Sequence, residues 1–216
     1  MTLRFSGRLI RSAVLVAAMF TAVPSLALAQ GDPPLTSPKS IKPPEPPGKL
    51  PKVGPDRTRG LDFLFGALKA APDEVSAKAV EAKIWAIWLQ TPSDTAALLM
   101  ARAKAAIDAQ QGEVALKLLD AAIKLRPDYV EAWNRRATRY YLRNDYGRSL
   151  ADIQQVLVRE PRHFGALAGL GMIMQDLGDD KRALDAFRKA VAVNPHLDKV
   201  PDLIKTLTEK VEGRDI

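Results

Sequence analysis

The sequence predicts an all-α fold, a helical solenoid of about four helix pairs closed by a C-terminal capping helix. Three observations predict it. Pro127, Pro161 and Pro195 recur at one constant, 34-residue spacing. Between them, apolar residues return at three- and four-residue steps, as one buried stripe on a helix requires. Strand signals are missing, since no run of alternating β-branched residues lies between turn dipeptides.

Residues 1–29 read as a cleaved signal peptide. Arg4, Arg8 and Arg11 precede the apolar run 13–23, Pro24 and Ser25 break it, and Ala27-Leu28-Ala29 offers small residues before a cut at Gln30. The run is about half the roughly 20 residues that span a bilayer, so no membrane-spanning segment is expected after cleavage. Residues 30–60 hold nine of the sixteen prolines. Without backbone donors at those positions, and with little to bury, the segment is expected to be a disordered tether.

From Leu61 onward the composition shifts to Ala, Leu and mixed charges. Residues 61–92 read as a degenerate helix pair with Trp85 and Trp88 on its second helix. Residues 96–127 form a shorter copy, whose second helix matches well but whose turn near Gly112 looks about two residues short. The pairs 130–161 and 164–195 match each other closely: Ala137 aligns with Gly171, Ser149 with Ala183, and Ile153 with Phe187. Asn144-Asp145 and Gly178-Asp179 supply turns, and the prolines end each second helix. Residues 198–211 carry Leu203, Leu207 and Val211 at four-residue steps, which suits a cap with a polar outer face.

Charge excludes one large class of partner. The net +7 is concentrated near the N-terminus, because residues 61–216 carry 23 basic and 22 acidic side chains. A near-neutral folded region lacks the concentrated basic surface that nucleic acid demands. Lys39, Lys42, Lys49 and Lys52 leave one alternative, a wall- or membrane-associated structural factor acting through the basic tether. The absence of cysteine removes disulfides, thiolate metal sites and cysteine nucleophiles.

No catalytic or cofactor pattern emerges, and the chain is expected to be neither an enzyme nor a metal or cofactor binder. His163 and His196 follow the prolines at the junctions between pairs, outside any His-Glu-x-x-His run, and are expected to be surface or junction residues. Gly165, Gly169 and Gly171 lie within a helix rather than in a phosphate loop. Each costs about 1 kcal/mol relative to alanine, so packing or a groove should compensate. Gly171 suits close helix packing; for Gly165 and Gly169 groove and packing roles are equally open. Arg135, Arg139 and Arg143 share a helix face, either as an anionic-partner contact or as a solvated face paired with Glu131, Asp145 or Asp152.

The 34-residue pattern, from Glu131-Ala132-Trp133 to Pro161 and from Phe164 to Pro195, resembles the tetratricopeptide repeat (TPR). That resemblance implies antiparallel helix pairs whose first helices line a concave groove for a protein or peptide segment. The family's groove positions fall on Met100 and Lys104, on Asn134, Thr138 and Tyr141, and on Ala168, Met172 and Gln175, with Gly165 and Gly169 facing the same way. The family's carboxylate-gripping pattern is not matched, because Met100, Gly165 and Gly169 replace polar residues it needs. Segments 131–138 and 160–167 are also similar to those of small exported alphaproteobacterial TPR proteins, which implies a periplasmic protein linked to envelope integrity. Neither the partner nor the oligomeric state follows from the residues.

Overall fold

The computed structural model describes residues 55–213. The proposed signal peptide and most of the proposed tether therefore lie outside the described residues. The described chain is wholly helical: α1 (Pro55–Lys69), α2 (Glu74–Leu89), α3 (Asp94–Asp108), α4 (Gly112–Leu125), α5 (Val130–Tyr141), α6 (Tyr146–Arg159), α7 (Phe164–Asp176), α8 (Asp180–Val193) and α9 (Val200–Val211). The first helix starts inside the stretch read as tether. Proline at its first position explains the difference, because the missing N–H has no acceptor to lose there and φ is already helical.

Local chemistry sets the boundaries. Asp73, Ser93, Asp145 and Asp179 each accept a backbone N–H from the first turn of the following helix. Left-handed residues close the turns inside the pairs at Gln110 (φ 57°), Asn144 (φ 58°) and Gly178 (φ 78°). These three keep the spacing of the prolines, so the turn near Gly112 is not shortened. Gln110 occupies the left-handed position that Asn and Gly fill later, and its side chain disguises an unbroken period.

The pairs α3–α4, α5–α6 and α7–α8 stack in order, and α9 covers α8. Close approach within pairs depends on small residues. Ala103 and Ala137 are buried, and a Cβ added at Gly171 would lie 2.5 Å from two atoms of the Phe187 ring. The Ser149 hydroxyl donates to the Ala137 carbonyl at 2.8 Å, fastening α6 to α5 at the same level.

The pair α1–α2 departs from the expected degenerate repeat. Rather than stacking on α3, α2 runs past the junctions that precede α5, α7 and α9. At the first junction the Tyr129 hydroxyl donates to the Leu89 carbonyl at 2.6 Å. At the second, Trp88 stacks on His163 with centroids 4.1 Å apart, and Trp85 meets Phe164 edge-on at 5.3 Å. At the third, the Asn194 amide donates to Glu81 at 3.1 Å. Arg162 adds an ion pair to Asp62 of α1 at 2.6 Å and lies 4.4 Å from the Phe65 ring. The physical reason is shape: the aromatic cluster of Phe65, Trp85 and Trp88 finds a partner cluster at His163–Phe164 and a notch at Gly165. A Cβ on Gly165 would approach Trp85 to 2.9 Å.

Candidate functional site

The first helices α5 and α7 present a cleft of about 300 Å³ whose lining includes Asn134, Thr138, Tyr141, Gly165, Ala168, Gly169 and Met172, with Ala137, Ser149 and Ile153 among the deeper residues. The structure thus brings together most of the groove positions expected from the sequence. Gly169 leaves this space open, since a Cβ there would meet only Ile153 Cδ1 at 3.7 Å.

Three expected positions stand elsewhere. Met100 is 4% exposed and packs with Tyr129 and Ala132 in the α3–α4–α5 core, so it offers no groove surface. Its apolar side chain joins that core where its equivalents in the next two repeats, Asn134 and Ala168, reach the cleft. Lys104 is exposed on α3, paired with Asp108 at 2.6 Å. Gln175 is half-buried near the end of α7 and does not line the cleft.

A second depression of about 440 Å³ shares Ala168 and Met172 with the first. Its opposite wall is α2, through Lys78, Glu81, Ala82 and Trp85, and its far end is Leu197 and Val200 at the start of α9. The two cavities make one trough from α5 to α9, with Trp85 in a side wall. Sequence reasoning missed Ala82, Trp85 and Leu197. Two of the chain's three tryptophans within one turn of α2 were the available signal, but the same spacing also suits a repeat core.

Polar groups at the α5 end are fixed from beneath. Glu131 is 3% exposed and accepts the Asn134 amide and the Arg135 guanidinium, both at 3.0 Å. Its second oxygen also lies 3.5 Å from His163 Nε2. His163 is fully buried, and its Nδ1 accepts the Ala166 N–H at 3.0 Å. It is therefore a junction residue but not a surface one, because the α2 tryptophans cover it. His196 is half-buried at the next junction, where its N–H donates to Asn194 Oδ1 at 3.0 Å. At the other end of α5, burial raises the pKa of the Tyr141 hydroxyl and the nearby Asp176 carboxylate adds to the effect.

The arginine face is mostly neutralised. Arg135 pairs with Glu131, and Arg143 with Glu113 at 2.6 Å. Arg139 is half-buried, and its Nε is buried without a hydrogen-bond partner among the described residues. Neighbouring Arg136 bridges the pairs, binding both Asp152 oxygens at 2.8 Å and Asp120 at 2.7 Å, and these hydrogen bonds raise its pKa. Among the described residues no cluster of three or more His, Asp or Glu side chains is placed to hold a metal ion. No described helix is long and apolar enough to cross a membrane.

Comparison with known proteins follows the same lines. The tetratricopeptide-repeat family model matches residues 100–148 and 135–198. A TPR repeat-containing protein of Rhizobium etli is 39% identical over 153 residues, covering 71% of this chain and 75% of that protein. The chain belongs to the TPR family. Among solved structures, the Arabidopsis OM64 TPR domain superposes with a TM-score of 0.53 at 19% identity, covering 55% of this chain and 98% of that one. The TPR2B-domain:pHsp70 complex of yeast Sti1 gives 0.51 at 14% identity, covering 55% and 99%. These likenesses show the fold. TPR proteins act as protein–protein interaction scaffolds.

Proposed function

We propose that this TPR protein is a periplasmic adaptor that holds an extended or helical segment of an envelope protein in its trough. The observation that carries this reading is the floor. Gly165, Ala168 and Gly169 keep α7 low while Asn134, Thr138 and Tyr141 edge the cleft with amide and hydroxyl groups. An apolar floor with a polar rim matches how grooves take peptide segments, apolar anchors below and main-chain groups at the edge. The pHsp70 complex of the yeast Sti1 domain supports a protein ligand for the shared architecture. The leader-like residues 1–29 support export, and similarity to small exported alphaproteobacterial TPR proteins supports an envelope role.

Site-specific photocrosslinking in the native bacterium tests this. A photoreactive residue at Thr138 or Met172 should capture a defined protein from the envelope fraction, whereas one at exposed Lys189 on the outer face of α8 should not. Equal capture from both faces, or recovery of the chain in the cytoplasmic fraction alone, refutes the proposal. The pair Gly169→Leu with Tyr141→Ala should abolish capture while helicity is retained.

A further inference from the structure

The 34-residue register identifies a helix face that lacks its usual cover among the described residues. On α7, Ala166 and Ile173 are buried against Ile153 and Val156 of the preceding α6, and on α5, Ala132 is buried against Leu119, Ala122 and Ile123 of α4. One repeat before Ala132 stands Leu98 on α3. Leu98 is 52% exposed, and Ala101 and Ala105 beside it are exposed as well. Among the described residues the cover is missing because α2, which would precede α3 in the stack, is engaged at the α5, α7 and α9 junctions.

We propose that a second copy of this chain covers this face, pairing α3 with α3 about a two-fold axis through Leu98. The charges decide the occupant and the register. Asp94 and Arg102 lie four residues to either side of Leu98, about 6 Å along the helix in each direction. Both are exposed, and neither has an ion-pair partner among the described residues. Antiparallel pairing centred on Leu98 sets each Asp94 opposite the Arg102 of the other copy, giving two symmetric ion pairs around a Leu–Leu contact. Closed two-fold association requires a surface complementary to itself in this way. Ala101 and Ala105 let the helices approach closely. A contact through one helix is smaller than a standard interface, so the dimer is weak and concentration-dependent.

Sedimentation equilibrium on the full chain, as recovered from expressing cells, tests the register through charge exchange. Arg102→Asp and Asp94→Arg should each weaken self-association by about tenfold, since each places like charges opposite one another twice. Combining them restores opposite charges across the axis and should return the wild-type constant. Leu98→Lys should give monomer at all concentrations, with circular dichroism confirming retained helicity in each variant. A wild-type chain that stays monomeric at hundreds of micromolar, including one whose N-terminal segment covers α3, overturns the proposal. So does a dimer that the single substitutions leave unchanged, or one that the double substitution fails to rescue.

Discussion

Glycine-to-alanine replacement along α7 should change sign within two turns of helix. Helix propensity favours alanine by about 1 kcal/mol at every interior position, and surroundings decide whether that gain survives. At Gly169 the new methyl meets Ile153 Cδ1 at 3.7 Å, an ordinary contact, so Gly169→Ala should stabilise by about 1 kcal/mol. At Gly171 it would sit 2.5 Å from two ring atoms of Phe187 and 2.8 Å from a third. Phe187 is 0% exposed and cannot swing into solvent. The overpacking cost there reaches the top of the roughly 1–3 kcal/mol range, which leaves Gly171→Ala destabilising by about 2 kcal/mol after the propensity gain. Gly165→Ala presses on Trp85 at 2.9 Å, but that ring is only half-buried and can move. Its effect on helix stability should be near zero, with a change in tryptophan fluorescence reporting displacement of α2. Urea titration followed by circular dichroism measures the order. Phe187→Leu should partly rescue Gly171→Ala, a coupling of about 1 kcal/mol. A stabilised Gly171→Ala, or equal effects at 169 and 171, would refute the close-approach account of the repeat.

Other outcomes follow from single contacts. Asp152→Ala leaves the Arg136 guanidinium with Asp120 alone, and thermal unfolding should show a loss of about 2 kcal/mol. Tyr129→Phe removes the hydroxyl bond to Leu89 O and should raise amide exchange selectively in α2, at a cost of about 1 kcal/mol. Trp88→Ala, at a fully buried ring, should cost about 3–5 kcal/mol and release α1–α2 from the stack, detected as protease cleavage near residues 90–93. Backbone and arginine hydrogen bonds hold the Asp145 and Asp179 carboxyls below the usual aspartate range. A depressed folded-state pKa gives stability that is present above the unfolded value near 4 and is lost as pH falls through the folded value. Asp145→Asn combined with Asp179→Asn should therefore flatten the acid limb of the stability profile and leave its neutral limb unchanged in shape.

Trp85 and Gly165 mark the limit of what could be read from spacing. The helices, the turns at Asn144-Asp145 and Gly178-Asp179 and the small sites at Ala137 and Gly171 were legible, because each depends on neighbours within a turn or on the matching position of the next repeat, whereas the α5–α7 cleft residues followed from the family resemblance. Met100 misled for the same reason. Its position in the repeat matches Asn134 and Ala168, but an apolar side chain there turns into the core beside Tyr129.

Helix pairs with a 34-residue period follow from the order of residues alone, since hydrophobic periodicity and turn chemistry act over a few residues. Where the first pair goes depends on long-range packing. Several apolar faces compete for Trp85 and Trp88, and the winner lies far along the chain at His163, Phe164 and Gly165, where shape and aromatic stacking select it. That choice buries His163, adds a wall to the trough and, among the described residues, leaves the outer face of α3 uncovered. Local spacing encodes none of these outcomes, because each depends on which surfaces meet once the chain has folded back on itself.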